Sequence, residues 1–373
     1  MSAPLRVLQV GMSPYYGGTE SFVMNQYRKI NRDAVQFDFL NVFNEPIACE
    51  DEIKALGGRI YPLNMSRRHG VRQYKKHLNA FFREHADKFD IIHCNFQSLI
   101  NIDLLKYAKK YNIRGRVAHA HNAGYGKEPN FLQKCIIAWN KRRLSKYASS
   151  YFACSSLAGR WMFGHERSIV IHNAIDASRF LYNEDVCRQT RARCGLTNEK
   201  MILFVGRLDP QKNPLFLLDI FHEIVKKDEN YRLFVVGDGI LRADMETKIA
   251  ELSLLEHVRM LGSRSDVNEL MQAADCFLLP SRFEGLGIVL IEAQAASLRC
   301  FTSRDVVPAE VDITGLVTFL PLHAEATCWA DEILTSGNTK RVSQMAAIIQ
   351  GGYDAVGAVQ LLEKEYMGLC EIK

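Results

Sequence analysis

Short runs rich in β-branched and aromatic residues alternate with longer stretches of helical periodicity along almost all of the 373 residues. Such alternation calls for parallel strands joined by crossover helices, because parallel neighbours cannot be linked by tight turns. Strand runs are read at 5–10, 37–42, 59–61, 91–94, 115–119, 150–153 and 169–171, with helical stretches at 19–30, 71–83, 102–110 and 131–146. The pattern restarts with strands at 201–205, 232–236, 258–261, 276–279 and 300–302 and helices at 214–226, 241–252, 267–273 and 288–296. One core of roughly 100–200 residues cannot hold this length. The expectation is therefore an α/β protein with two Rossmann-like, doubly wound parallel-sheet domains, 1–175 and 199–352. The polar stretch 176–198 lacks sustained periodicity and reads as a linker, and the final helical pattern, 353–373, can pack on either half, including a return to the first. Open α/β sheets bind ligands beyond the carboxyl ends of their strands, so the expected site is a cleft faced by both sheets.

Composition narrows the class. With 47% hydrophobic and 24% charged residues the chain is ordinary globular material. No apolar run approaches the ~20 residues of a membrane-spanning helix, and Leu5–Val10 is too short for a signal-peptide core. The expected compartment is the cytoplasm. Ten scattered cysteines without a CxxC pair or zinc spacing read as buried reduced thiols. The formal net charge of +5 is unevenly placed: residues 59–147 hold 19 Lys and Arg against 5 Asp and Glu, including Arg67-Arg68, Lys75-Lys76, Lys109-Lys110 and Lys141-Arg142-Arg143. Such a surplus is a solvated basic face or a surface for polyanions, either an anionic membrane or nucleic acid. Two stretches add apolar residues at helical spacing: Val71, Tyr74, Leu78, Phe81 and Phe82 in one, Leu132, Cys135, Ile136, Trp139 and Leu144 in the other. Each reads as a core-packed helix with a wet basic face, and together they suggest interfacial contact. Nucleic-acid modules leave no signature here, so no nucleic-acid partner is expected.

Three segments carry chemistry. The first strand runs into Gly11-Met12-Ser13-Pro14-Tyr15-Tyr16-Gly17-Gly18-Thr19-Glu20, which lacks the G-x-G-x-x-G spacing of dinucleotide cofactors. Its paired glycines before a helix form a plain tight turn or bring bare amides to an anion. The second half opens with Val205-Gly206-Arg207-Leu208-Asp209-Pro210-Gln211-Lys212-Asn213-Pro214. Two cations five residues apart at a strand mouth suit a diphosphate, Arg207 bidentately and Lys212 as a point charge. The third segment, Leu279-Pro280-Ser281-Arg282-Phe283-Glu284-Gly285-Leu286-Gly287-Ile288, continues to Glu292, so two glutamates stand eight residues apart across a loop and a helix start. A glycosidase pair brackets one bond within about 5–9.5 Å. Here the spacing instead suits two anchors on one long ligand, with the helix start around Gly287 meeting a phosphate between them. A nucleotide sugar has that layout.

These segments, together with His172-Asn173-Ala174-Ile175-Asp176 and Val117-Ala118-His119-Ala120-His121-Asn122, resemble the GT4 retaining glycosyltransferases of GT-B fold, in the branch that builds bacterial capsule and exopolysaccharide. The resemblance runs along nearly the whole chain. It implies a UDP-linked or other nucleotide-sugar donor, a lipid-linked or saccharide acceptor, no cofactor, no metal, and work at the cytoplasmic face of a membrane. It implies Arg207 and Lys212 as the diphosphate clamp, Glu284 at the donor sugar, Glu292 at the ribose, and Gly285, Leu286, Gly287 and Ile288 along the phosphates. Gly17 and Gly18 match the N-terminal glycine loop, and Arg264 and Val267 belong to the base-contacting turn. His121 matches the cleft histidine, with His119 as its competitor. Two departures stand out: Ala174 where the family has glycine, and Arg304–Glu310 in place of a glycine-rich stretch, which leaves Glu310 without a role. Rival readings are a silent nucleotide-sugar binder, a basic nucleic-acid-binding protein, and a GT-B phosphorylase, for which no cofactor-lysine context is found.

Overall fold

The computed structural model describes residues 3–371 apart from 64, 66–69, 123, 126–127, 165–167, 285 and 338–339. Arg67, Arg68 and Gly285 thus lie outside the described residues. The chain forms two compact units, residues 1–174 with 355–373, and residues 175–354.

In the first unit, β1 (Leu5–Val10), α1 (Gly18–Lys29), β2 (Val35–Asn41), α2 (Glu50–Ala55), β3 (Ile60–Pro62), α3 (Val71–His85), β4 (Ile91–Phe96), α4 (Asp103–Lys110), β5 (Gly115–Ala120), α5 (Phe131–Arg143), β6 (Ser150–Ala153), α6 (Ser156–Phe163) and β7 (Ile169–Val170) follow in order. The second unit holds α7 (Glu184–Arg193), β8 (Lys200–Val205), α8 (Pro214–Lys227), β9 (Tyr231–Val236), α9 (Arg242–Glu251), β10 (Val258–Gly262), α10 (Val267–Ala273), β11 (Cys276–Leu279), α11 (Ile288–Ala295), β12 (Arg299–Ser303), β13 (Val317–Leu320), α12 (Ala326–Thr335) and α13 (Met345–Gln350). The last helix, α14 (Ala355–Glu371), returns to the first unit.

Both sheets are parallel, ordered β3-β2-β1-β4-β5-β6-β7 and β10-β9-β8-β11-β12-β13. In each, the order reverses beside the first strand, between β1 and β4 and between β8 and β11. Connections leave such a point toward opposite faces and open a crevice at the strands' carboxyl ends. Alternation along the strands sorts the first unit's core into two layers. Leu8, Ile92, Cys94 and Ala118 face Tyr74, Leu78 and Phe82 of α3 and Leu105 of α4. Val7, Phe37, Ile91, Val117 and Phe152 face Phe22 and Tyr27 of α1 and Val359, Leu362 and Tyr366 of α14. Four buried α3 side chains, at about 1.5–3 kcal/mol each, make that helix part of the core.

The structure departs from the sequence expectations in four places. The stretch read as a linker contains α7, capped by Asn183, whose side chain accepts from the amides of Asp185 and Val186. Its Arg191 donates to the carbonyl oxygen of Ala273 and pairs with Asp275. It is a polar helix held by hydrogen bonds, which is why it shows no apolar period. β13, α12 and α13 after β12, and the short α2 and α6 in the first unit, stand where no element was foreseen. Cysteine burial is incomplete: all ten thiols are free, but Cys135 and Cys328 are exposed. Finally, α3 and α5 part company. α3 buries its apolar stripe apart from Val71, whereas α5 leaves Phe131, Leu132 and Trp139 exposed at 84%, 69% and 51%. It starts on a reciprocal cap between Asn130 and Gln133 and is anchored through Asn140, which is buried and donates to the carbonyl oxygen of Leu99.

Candidate active site

The second unit places its candidate residues on the loops that leave β8 and β11, on either side of the reversal point. The β8 loop turns at Gly206, against which the β9 loop packs so closely that a side chain on Gly237 (φ +131°) would meet the Gly206 carbonyl oxygen at 1.9 Å. Asn213, in the left-handed region (φ 55°), ends the loop, and Pro214 opens α8 where no backbone N–H is needed. The two loops are stitched together. The Arg282 amide donates to the Gln211 carbonyl at 2.7 Å, Gln211 Nε2 to the Phe283 carbonyl at 3.2 Å, and Arg282 Nε to Asn213 Oδ1 at 3.2 Å.

This stitching brings Lys212 and Glu284 into contact. Lys212 Nζ lies 2.6 Å from Glu284 Oε1, with side chains only 14% and 5% exposed, and Ser281 Oγ donates to the same oxygen at 2.6 Å. Breaking such a buried pair by removing one partner strands the other charge, at about 3–5 kcal/mol. Arg207 stays on its own loop, exposed, bonded to Gln211 Oε1 at 3.0 Å and paired with Asp209 at 3.2 Å. Leu286 and Gly287 are buried, and Gly287 (φ 79°) caps α11, which Ile288 begins. Glu292 lies in the second turn of α11, where burial pushes its carboxyl up to about 7 against the pull of Arg179. Among the described residues its carboxyl has no hydrogen-bond partner, while its carbonyl accepts from the Ala296 amide. Arg264 is held by Asp266 in a two-pronged pair at 2.8 and 2.6 Å, and Val267 begins α10, partly buried on the core. Glu310 is exposed in a short 3-10 turn, Ala309–Val311.

In the first unit the glycine loop is braced by Glu20, whose carboxylate accepts from the amides of Ser13 at 2.8 Å and Gly17 at 3.0 Å. The Gly17 amide is therefore already engaged, while a side chain on Gly18 would meet nothing within 4 Å. Gly11 (φ +115°) lets the loop pass the Asn95 backbone, whose carbonyl oxygen a side chain there would meet at 2.6 Å. His119 and His121 take different places. His119 is fully buried within β5, its Nδ1 2.9 Å from His93 Nε2. His121 follows the strand, at the carboxyl edge of the sheet, its Nε2 2.8 Å from Asn95 Oδ1. The two imidazoles stack with centroids 4.2 Å apart, and Phe22 of α1 meets both edge-on. Burial lowers His93 and His121 to about 3 and His119 well below its ordinary value, so all three are neutral.

Sequence reasoning missed the residues that hold these side chains: Gln211, Ser281 and Asn213 in one unit, Gln9, His93, Asn95 and Tyr366 in the other. The second group did leave a signal. Polar residues at alternate positions of otherwise apolar parallel strands must be hydrogen-bonded to one another.

Residues 16–179 match the family described as Glycosyltransferase Family 4, and residues 188–319 match that described as Glycosyl transferases group 1. The chain is 33% identical to a putative glycosyltransferase, EpsF, of Bacillus subtilis, over 96% of both chains. It is 31% identical to an Escherichia coli UDP-Gal:alpha-D-GlcNAc-diphosphoundecaprenol alpha-1,3-galactosyltransferase, over 80% of this chain and 79% of that one. Its fold matches that of Anabaena HepE, solved with UDP, at a TM-score of 0.70 with 17% identity over 98% of each chain.

Proposed function

Because the chain belongs to the glycosyltransferases that join a family 4 half to a group 1 half in the GT-B architecture, we propose that it moves a hexose-type sugar from a UDP-linked donor to a lipid-linked or saccharide acceptor in cell-surface polysaccharide synthesis, with retention and without a metal ion. The observation that carries this reading is the Lys212–Glu284 pair. A ligand with a diphosphate next to sugar hydroxyls offers each partner a replacement, phosphate oxygens for the ammonium and hydroxyl donors for the carboxylate. Neither charge is then left buried and alone.

In the proposed reaction the bond between anomeric carbon and phosphate oxygen breaks, and negative charge grows on the β-phosphate. Lys212, Arg207 and the amides at the start of α11 stabilise it. Glu284 faces the oxocarbenium-like sugar, and the acceptor hydroxyl attacks from the face the diphosphate leaves. Glu292 accepts from the ribose hydroxyls. UDP as the carrier is supported by the HepE complex and by the donor in the E. coli relative's name, and that name also supports a lipid-linked acceptor.

No helix among the described residues is long and apolar enough to cross a membrane. In this reading the enzyme reaches its acceptor from the cytoplasmic side through α5. That helix exposes Phe131, Leu132 and Trp139 among Lys134, Arg142 and Arg143, with the Arg143 guanidinium 4.3 Å from the centroid of Trp139. Exposed aromatics ringed by cations fit an anionic lipid surface.

A thermal-shift panel of UDP-, GDP- and ADP-sugars tests the donor. One UDP-hexose should raise the Tm by several degrees at saturating concentration and serve as donor in a transfer assay. A panel in which no nucleotide sugar stabilises the chain would refute the reading.

A further inference from the structure

The polar side chains behind His121 form a chain with a direction, and a backbone carbonyl sets it. The Val10 carbonyl can only accept, and Asn95 Nδ2 lies 3.0 Å from it. The Asn95 amide therefore turns its NH2 to Val10 and to Gln9 Oε1 (3.1 Å), and its oxygen to His121 Nε2. His121 Nε2 must carry the proton. The other branch starts at Gln9. Gln9, accepting through Oε1, donates through Nε2 to the Tyr366 hydroxyl at 3.2 Å. That hydroxyl pairs with His93 Nδ1, and His93 Nε2 pairs with His119 Nδ1. His121 is thus the neutral Nε2–H tautomer.

Among the described residues two nitrogens end the branches buried and without a partner, His119 Nε2 and His121 Nδ1, the second as an acceptor. Leaving such a group unsatisfied destabilises the fold, so an unfilled lone pair on a fixed ring is a maintained feature. Of the two, only His121 stands past the strand end, beside the glycine loop's neighbour Asn95.

We propose that Asn95 is a positioning residue: it holds His121 in the Nε2–H tautomer so that Nδ1 accepts a hydrogen bond from a hydroxyl of the sugar substrate. The assignment rests on the sugar-transfer reading above. Tyr366 of α14 accepts from Gln9, which ties the returning C-terminal helix to the network behind the site.

The test is made on the full chain labelled with 15N-histidine, His121 being assigned by its loss in H121Q. Wild type should show His121 neutral and protonated at Nε2. N95L, close in volume but without polar atoms, should give a tautomer mixture and a kcat about tenfold lower or more, with little change in the donor KM. N95L/H121A should be no slower than H121A. A wild-type Nδ1–H tautomer, an unchanged kcat in N95L, or losses that multiply in the double variant would each overturn the proposal.

Should N95L not fold, N95D serves. Its carboxylate keeps an oxygen toward Nε2–H but draws a second proton onto His121, filling Nδ1. The other groups against these rings are His93 and His119 on the strands and Tyr366 on α14, while α1 and β6 present Phe22 and Phe152. Activity of N95D should be low at neutral pH and return as pH rises, and a loss independent of pH would count against the lock. A wild-type chain that transfers no sugar from the UDP-hexose refutes the function instead, and the nitrogen spectrum still reads the tautomer.

Discussion

The carboxyl edges of the two sheets are built from the same topology and opposite electrostatics. At the reversal between β8 and β11 stands a charged pair, Lys212 and Glu284, largely withdrawn from water. At the reversal between β1 and β4 lies a connected set of neutral amides and imidazoles, Gln9, Asn95, His93, His119 and His121. A buried ion pair is a store of unsolvated charge that an ionic ligand can enter by exchange. A neutral network offers fixed donors and acceptors and rejects net charge. In the proposed reaction these similar crevices take separate tasks: one meets the charge of a leaving diphosphate, the other reads hydroxyl groups.

The comparison is broken most severely by removing its cation. Lys212→Ala should lower kcat/KM with a UDP-hexose by about 10²–10³, the size seen for loss of one preorganised charge-stabilising donor. It also leaves Glu284 buried and unpaired, so the Tm should fall. K212A/E284Q should recover much of that Tm and none of the activity. Wild-type turnover in K212A would remove the second unit's charged edge from the mechanism.

Acid should separate the units next. His93 and His121, free at about 6.5, are held near 3 when folded, and burial holds His119 well below its free value too. Each depressed histidine contributes stability above its unfolded pKa, and that contribution is lost as pH falls from about 6.5 toward the folded value, at up to about 1.4 kcal/mol per pH unit. Hydrogen exchange of the strands of the first unit should therefore accelerate as pH drops from 6.5 to 5, after correction for the intrinsic rate, well ahead of β8 and β11. Equal acceleration in both units would contradict the neutral network.

How much of this was legible in the sequence depends on whether apolar periodicity or polar geometry carried it. Of the thirteen strands among the described residues, twelve were marked by short β-rich runs, and Lys212, Glu284 and His121 by their place after such runs. Polar α7 gave periodicity nothing to register, and β13 was passed over although it is no shorter than β6 or β11. α3 and α5 look alike as strings of apolar and basic residues, and only the packing shows that one is core and the other surface. The tautomer of His121 is set by a carbonyl on β1 and an amide on β4, some 85 positions apart, and no local pattern carries that. That distinction between α3 and α5 can be tested directly. F131S/L132S/W139S should leave the fold intact and lower binding to phosphatidylglycerol vesicles about tenfold, since burying each such side chain contributes about 1.5–3 kcal/mol and only part enters the interface. Flotation indifferent to anionic lipid, or to the triple change, would return α5 to the status of a solvated helix.

The mildest effect sharpens the comparison from the other side, because Glu292 answers pH in the opposite sense to the histidines. Its carboxyl titrates near 4.5 when free and at about 7 when folded. An acid whose folded pKa is raised binds its proton more tightly in the native state, so its contribution is present below about 4.5 and is lost as pH rises through 7. Above that, the folded chain holds a desolvated carboxylate that Arg179 only partly offsets. Glu292→Gln should then be more stable than wild type at pH 8, by about 1–2 kcal/mol or a few degrees in Tm, and indistinguishable from it at pH 5. Ribose hydroxyls that donate to Glu292 favour the ionised form, so UDP should bind wild type more tightly at pH 8 than at pH 6 and release a proton as it binds. In E292Q that pH dependence should vanish and the affinity should be lower at pH 8. Unchanged UDP affinity in E292Q, with its stability gain intact, would take the ribose away from this carboxyl and leave its raised pKa as a cost of the fold.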